Sequence, residues 1–546
     1  MMLNRRQLLA GLGAAPFARS QSSASRVEVL LGEPIGRIAP EIYGHFVEHL
    51  GAVVYDGIWV GEGSKIPNRD GIRNDIVDAL AKTKPAVVRW PGGCFADQYD
   101  WKDGTGPRAS RPKRTNFWVD SKEWPANANR TGAQVYDPNH FGSVDFARFC
   151  RRVGAEPYFA ANLRSLPAQD FWHWVEYCNS PAGATTNAAK RAADGETAPL
   201  NVRYWGVGNE SWGCGGNFSP EDYAIEFKRY SAWVPGYGKP LSMVGSGPNG
   251  ADYEWTRRFF QKAAQQGGLG KMWGWGLHHY SWNTSAGRTT DWFAGKGDAL
   301  RFTRVEHLEL LRDAANMETL IQTHWGAMGD VDRAHRVKLV VDEWGSWHKP
   351  GTEPFPEALL GQQNTVRDAA LAGLTLNIFH RHAEKVAMAN IAQLVNCLQS
   401  LFLIHEDKFC VTPTYHVFAM YAAHQGAESV RTVTAAAPEA WQRPDGREMR
   451  LEGLSASASV REKRLTVTVV NPSFGESREV ELRVNGGMVK AASGTVLGAA
   501  DPHAHNTWTN PRAVEPAALA VRAAGDTVRF TLGPSAVARV GVELGG

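Results

Sequence analysis

Short apolar runs punctuate the chain at 42–46, 86–90, 157–160, 202–207, 241–245, 275–279, 338–342 and 386–390. Runs of this length and composition are candidates for parallel strands covered on both faces. Longer stretches of helical character lie between them, at 72–82, 143–153, 220–234, 253–266, 301–315 and 359–382. Eight strands alternating with helices predict an α/β fold, a (β/α)8 TIM barrel. The polar interval 105–130, rich in Arg, Lys and Asn, reads as a long loop after the second strand.

The pattern changes after about residue 409. From 429 onward apolar and polar residues alternate, as in 465–470, 480–484, 527–532 and 537–542, with Gly, Pro and Asn turns between. Several short alternating strands at this spacing predict a C-terminal all-β sandwich domain. Residues 26–31 alternate as well and are expected to add a strand to it. The expected division is an export signal at 1–24, an N-terminal strand at 25–38, the catalytic barrel at 39–408 and the sandwich at 409–546.

Charge excludes one class of partner. The 59 basic and 56 acidic side chains leave a net charge of +3, without the basic excess of a nucleic-acid binder. No run approaches the roughly 18 apolar residues of a membrane span. The start of the chain reads differently: Asn4-Arg5-Arg6-Gln7-Leu8-Leu9, a mildly apolar stretch over 8–18 and then Ser22-Ser23-Ala24 look like a twin-arginine signal. That predicts an exported protein, periplasmic or extracellular. The six cysteines match no zinc spacing. Most read as buried apolar residues, and one or two disulfides stay open after export. The 20 tryptophans are mostly barrel filling, but indole faces also stack on sugar rings.

Barrel enzymes work at the C-terminal ends of their strands. Two strands end in a carboxylate: Gly206-Val207-Gly208-Asn209-Glu210 on the fourth and Val340-Val341-Asp342-Glu343-Trp344 on the seventh. Those strands lie across the lumen from each other. Two facing carboxyl groups are what glycosidic cleavage needs, one protonated to expel the leaving oxygen and one ionised to meet the anomeric carbon. Arg89, ending the second strand, is a candidate donor to Glu343. The histidines show no helical i, i+4 ligand spacing, so neither metal nor cofactor is expected.

These segments resemble the clan A glycoside hydrolases and, more closely, family 51 α-L-arabinofuranosidases. The matching runs are 42–51 (IYGHFVEHLG), 55–61 (YDGIWVG), 88–97 (VRWPGGCFAD) with Tyr99, Trp101 and Asp103-Gly104, then 206–210, 342–344 and 389–396 (ANIAQLVN), in order along the barrel. The resemblance implies Glu210 as acid/base, Glu343 as nucleophile and Asn209 on the sugar 2-hydroxyl. It places Glu48 and Gln393 on furanose hydroxyls, Cys94 beside the sugar as a weak polar contact, and Trp347 as an aromatic wall. Tyr280 or His279 would sit near Glu343, although His278-His279-Tyr280-Ser281 departs from the family's usual His-Tyr-Tyr. The implied activity is retaining, exo-acting release of arabinofuranose from arabinan, arabinoxylan or arabino-oligosaccharides. A clan A endo-glucanase or β-xylosidase is the alternative, and a non-catalytic carbohydrate-binding protein the third reading. The resemblance also leaves a homo-oligomer open.

Overall fold

The computed structural model describes residues 25–283 and 295–545. Eight parallel strands close into a barrel: β1 (Gly44–Phe46), β2 (Val87–Trp90), β3 (Glu156–Ala161), β4 (Tyr204–Val207), β5 (Ser242–Gly245), β6 (Met272–Ser281), β7 (Lys338–Ser346) and β8 (Val386–Ala392). All eight match the apolar runs of the sequence. Val87, Tyr158, Tyr204, Val244, Val340 and Met388, one each from six strands, pack together as a buried cluster apart from the main core. This filling makes the barrel a solid core rather than a pore, so chemistry belongs to the loops at its C-terminal end. The neighbouring residues on the same strands turn outward: Trp205 packs on Phe171 and Trp174, with ring centroids 5.5 Å away in each case.

Helix Val366–Arg381 is buried from 366 through 380. An ordinary barrel helix shows one apolar face; this one is covered on both sides, by the barrel and by the C-terminal domain. Asn377 donates to the Ser455 carbonyl (3.1 Å), and His380 meets the Ser457 hydroxyl (2.8 Å). Thr365 caps its start, and Asp368 closes the capping box by accepting from the Thr365 N–H at 2.7 Å. The other oxygen of Asp368 accepts from Ser346 (2.7 Å) and lies 2.9 Å from His348 Nε2, which anchors the end of β7. Helices Ala168–Asn179, Thr186–Ala193, Met317–Gly329 and Pro413–Tyr421 were not among the sequence-predicted ones.

The C-terminal domain is all β. Ten strands are hydrogen-bonded in one continuous order, which curls until Val489–Leu497 touches Thr527–Leu532. Its inner faces bury Val467, Val469, Leu482, Phe530 and Val540 as the layers of a sandwich do. Strand Ser25–Arg37 lies inside this sheet, antiparallel to Glu428–Ala435 and parallel to Arg478–Asn485. Among the described residues no helix is long and apolar enough to cross a membrane. The twin-arginine reading of 1–24 falls outside the described residues.

Candidate active site

Glu343 comes from β7 where the strand pairing slips. Register shifts between Val341 and Trp344 against β8, and between Gly276 and His278 against β6, mark irregularities beside it. Such bulges re-aim a side chain that strict pleating would point elsewhere. The carboxylate is buried and held by two donors: Arg89 Nη1 on Oε1 at 2.7 Å and Tyr280 Oη on Oε2 at 2.7 Å. Burial pushes its pKa up, but the charges of His278 and Arg89 and the two hydrogen bonds outweigh that and hold it below the ordinary carboxylate value. The group is therefore kept as an anion.

Glu210 follows β4 through a tight turn. Gly208 has φ +80°, and Glu210 itself sits at φ +40°, a left-handed conformation that a non-glycine residue pays for with about 1–3 kcal/mol. The turn is fixed by Asp97 accepting from the Asn209 N–H (3.0 Å) and by the Glu210 carbonyl accepting from Gly213 (2.7 Å). A Cβ at Gly215 would lie 1.7 Å from the Asn209 carbonyl oxygen, so only glycine fits there. The carboxyl group is one-fifth exposed. His278 Nδ1 lies 3.0 Å from Glu210 Oε1 and 3.6 Å from Glu343 Oε2, joining the two acids. Burial lowers the His278 pKa, yet Glu343 and Glu210 together raise it above the ordinary value. Oxygens of Glu210 and Glu343 and this nitrogen all lie within 4.8 Å of one another.

Arg89 ties Glu343 to Asn209, whose Oδ1 accepts from Nη2 at 2.5 Å. Glu48, after β1, accepts from the Phe95 N–H (2.9 Å) and from Gln393 Nε2 (3.2 Å), while its own N–H donates to Gln393 Oε1 (3.1 Å). Burial pushes Glu48 up to about 7 despite the Phe95 hydrogen bond. Gly92 and Gly93 make room for both carboxylates: a Cβ on Gly92 would stand 2.5 Å from Glu48 Cγ, and one on Gly93 3.0 Å from Glu343 Oε1. Trp347 packs edge-on against Tyr280 at 5.1 Å, and the Lys296 ammonium sits 3.7 Å from the centre of its ring.

One expectation needs correction. His279 does not reach the site: its Nε2 contacts the Asp313 carbonyl at 2.8 Å, on the helix side of β6. Side chains alternate along a strand, so Tyr280 and His278 share the lumen face and His279 cannot join them. Cys94 lies beside Glu210, and its sulfur is half of a disulfide. It is bonded to Cys214, and the sulfurs of Cys94 and Cys214 lie 3.9 and 3.6 Å from Glu210 Oε2. The sequence reading also missed His278, Asp97, Cys214, and the 3.4 Å ion pair of Lys296 with Glu123.

Arg89 offers a direct test of the electrostatics. Arg89→Met removes one of the charges that depress Glu343, so the acidic limb of kcat/KM against pH is expected to move to higher pH. Loss of both anchored partners should also cost about 100-fold in kcat, the scale of a misplaced reacting group. An unchanged acidic limb would separate Arg89 from Glu343.

Residues 342–535 match the model of the "Alpha-L-arabinofuranosidase C-terminal domain" and residues 79–235 that of the "Alpha-L-arabinofuranosidase 1 domain". The chain is 35% identical over 507 residues, 92% of each chain, to the intracellular exo-α-L-arabinofuranosidase of Bacteroides ovatus. It is 28% identical to the intracellular exo-α-(1→5)-L-arabinofuranosidase of Streptomyces lividans, over 88% of this chain and 70% of that one. The crystal structure of the GH51 arabinofuranosidase from Xanthomonas axonopodis pv. citri superposes with a TM-score of 0.86 at 34% identity, covering 95% of this chain and all of the other. The expectation of export is overturned here, because the Bacteroides and Streptomyces relatives are intracellular enzymes. An arginine pair before a mildly apolar stretch is too short a pattern to outweigh them.

Proposed function

Since the chain belongs to glycoside hydrolase family 51 and is an α-L-arabinofuranosidase, we propose that it removes terminal arabinofuranose with retention, Glu343 as nucleophile and Glu210 as acid/base. One observation carries the reading: oxygens of the two carboxyl groups lie within 4.8 Å of each other. Direct attack needs a separation of about 5 Å, whereas an interposed water needs ~6.5–9.5 Å.

Glu343, kept anionic, attacks the anomeric carbon while Glu210 protonates the departing oxygen. A β-linked glycosyl-enzyme results. Glu210 then takes a proton from water, which attacks the same carbon and returns the α configuration. His278 holds Glu210 Oε1, leaving Oε2 for the transferred proton. Asn209, oriented by Arg89, is placed for the 2-hydroxyl, whose hydrogen bond strengthens in the transition state. Glu48 and Gln393 take the remaining hydroxyls, and Trp347 walls the sugar.

Support for exo action comes from the Lys296–Glu123 ion pair. It joins the loop after β2 to the loop after β6, with the two side chains 9% exposed or less, and the Lys296 ammonium also covers the Trp347 ring. A closed end admits one terminal sugar, and the substrates this fits are arabinofuranosyl ends and branches of arabinan, arabinoxylan and their oligosaccharides. Hydrolysis in aqueous methanol tests the reading: methyl α-L-arabinofuranoside is the expected trapped product, and a linear α-1,5-arabinopentaose should first give monomer and tetrasaccharide in equal amounts. The β-methyl product would overturn retention, and disaccharide with trisaccharide as the first products of the pentasaccharide would overturn exo action.

A further inference from the structure

The disulfide of Cys94 and Cys214 meets the catalytic acid and has no part in the chemistry above. Cys94 follows β2 and Cys214 follows the β4 turn, with Cα atoms 5.5 Å apart. Both sulfurs face one oxygen of Glu210, at 3.9 and 3.6 Å from Oε2. The other oxygen is occupied by His278. All three residues are half-buried, which leaves the cluster open to small solutes. The other cysteines, Cys150, Cys178, Cys397 and Cys410, are buried and unbonded.

We propose that, once this disulfide is reduced, Cys94, Cys214 and Glu210 form a binding site for a thiophilic divalent cation, zinc in the first instance, which silences the enzyme. Reduction is by a dithiol. The S–S bond takes up two electrons and two protons, each sulfur becomes a thiol, and the reductant closes to its own disulfide. Binding then releases the two thiol protons to water, and the cation takes two thiolates and one carboxylate oxygen.

The dimensions fit that cation. With Zn–S at about 2.3 Å and Zn–O at about 2.1 Å, a tetrahedral site has S···O edges of about 3.6 Å and an S···S edge of about 3.8 Å. The two S···O separations already present are 3.6 and 3.9 Å. Breaking the sulfur–sulfur bond supplies the third edge by letting the two sulfurs relax apart. Two thiolates and a carboxylate are also a donor set that selects zinc over magnesium or calcium. His278 completes the arrangement from outside: its Nδ1 on Oε1 orients the carboxylate so that Oε2 faces the sulfurs, the role that second-layer partners play around ligating groups. The fourth position stays open to water.

The consequence for activity follows from Oε2. An oxygen bound to the cation neither carries the proton to the leaving group nor accepts one from water. The oxidised enzyme has no thiolates to offer and should be indifferent to the metal. In a reducing compartment, where dithiols keep such pairs open, the site would be present. The inhibition part rests on Glu210 being the acid; the binding part does not.

The experiment uses the full chain, oxidised or reduced with a dithiol and desalted without air, and titrates cobalt(II) as a coloured substitute and zinc as the native probe. Reduced enzyme is expected to bind one equivalent, giving the intense thiolate-to-cobalt band. Zinc should displace cobalt and lower kcat by about tenfold or more, with chelator restoring it. Oxidised enzyme should show neither band nor inhibition. Cys94→Ser and Cys214→Ser should each lose the band, with circular dichroism confirming the fold. No thiolate band in reduced enzyme, or equal zinc binding by both serine variants, would overturn the site. A band with zinc bound but undiminished turnover would leave the cation site standing and count against Glu210 as the acid.

Discussion

Glu343→Gln should lose arabinoside hydrolysis by about 10⁴-fold or more while keeping the fold, because the amide preserves shape but cannot form the ester. The replacement also preserves local satisfaction: the new carbonyl can still accept from Arg89, which would otherwise be a buried cation short of one partner. Deleting one side of a buried ion pair costs roughly 3–5 kcal/mol, so the truncation Glu343→Gly should be less stable as well as inactive. That variant has a second use. It opens space between Arg89 Nη1 and Tyr280 Oη, two donors that held the carboxylate oxygens. Azide entering there should attack an activated α-L-arabinofuranoside directly and give the β-azide. Turnover of Glu343→Gln within about tenfold of the parent would remove Glu343 from the reaction.

The barrel was legible because its strands are covered on both faces, which writes each as an unbroken apolar run. Helix Val366–Arg381 was overrun at its start in the sequence reading. Only Leu359 and Leu360 continue the apolar pattern; Gln362, Asn364 and Thr365 are polar yet buried, and the Thr365 cap with Asp368 marks the boundary. The two glutamates were legible because a carboxylate ending an apolar strand has few structural reasons to be there. His278 was legible too, by parity, and was missed. Trp275 and Leu277 belong to the large core between barrel and helices, whereas a Cβ on Gly276 would meet Asp342. From Gly274 on, even-numbered residues therefore face the lumen, and His278 and Tyr280 follow from that. No such rule joins Cys94 to Cys214, which are 120 residues apart and meet only because β2 and β4 end at one rim. The same holds for Lys296 and Glu123, whose pairing depends on two loops that apolar spacing says nothing about.

Glu210→Ala should behave differently from the Glu343 variants, and the difference carries the assignment of roles. With a poor leaving group, such as a second sugar, the first step needs a proton from Glu210, and kcat should fall by about 10²–10⁴-fold. With a dinitrophenyl leaving group it needs none, so the glycosyl-enzyme on Glu343 should form at close to the parental rate and accumulate. Its breakdown is then slow, because no base activates the water. KM should drop together with kcat, as expected when an intermediate builds up. Azide needs no base: it should restore turnover on the activated substrate, giving the α-azide, since attack on the β-linked intermediate returns the original configuration. The two azide products thus have opposite anomeric forms, β from Glu343→Gly and α from Glu210→Ala. Only a double displacement with the carboxyl groups in these roles predicts that pair. The His278 contact to Glu210 predicts a smaller companion effect: His278→Ala frees Oε1, and the damage should be greater for sugar leaving groups than for dinitrophenolate. If azide left Glu210→Ala unrescued on the dinitrophenyl substrate, or gave the β-azide, Glu210 would not be the acid/base and the retaining mechanism would fall with it.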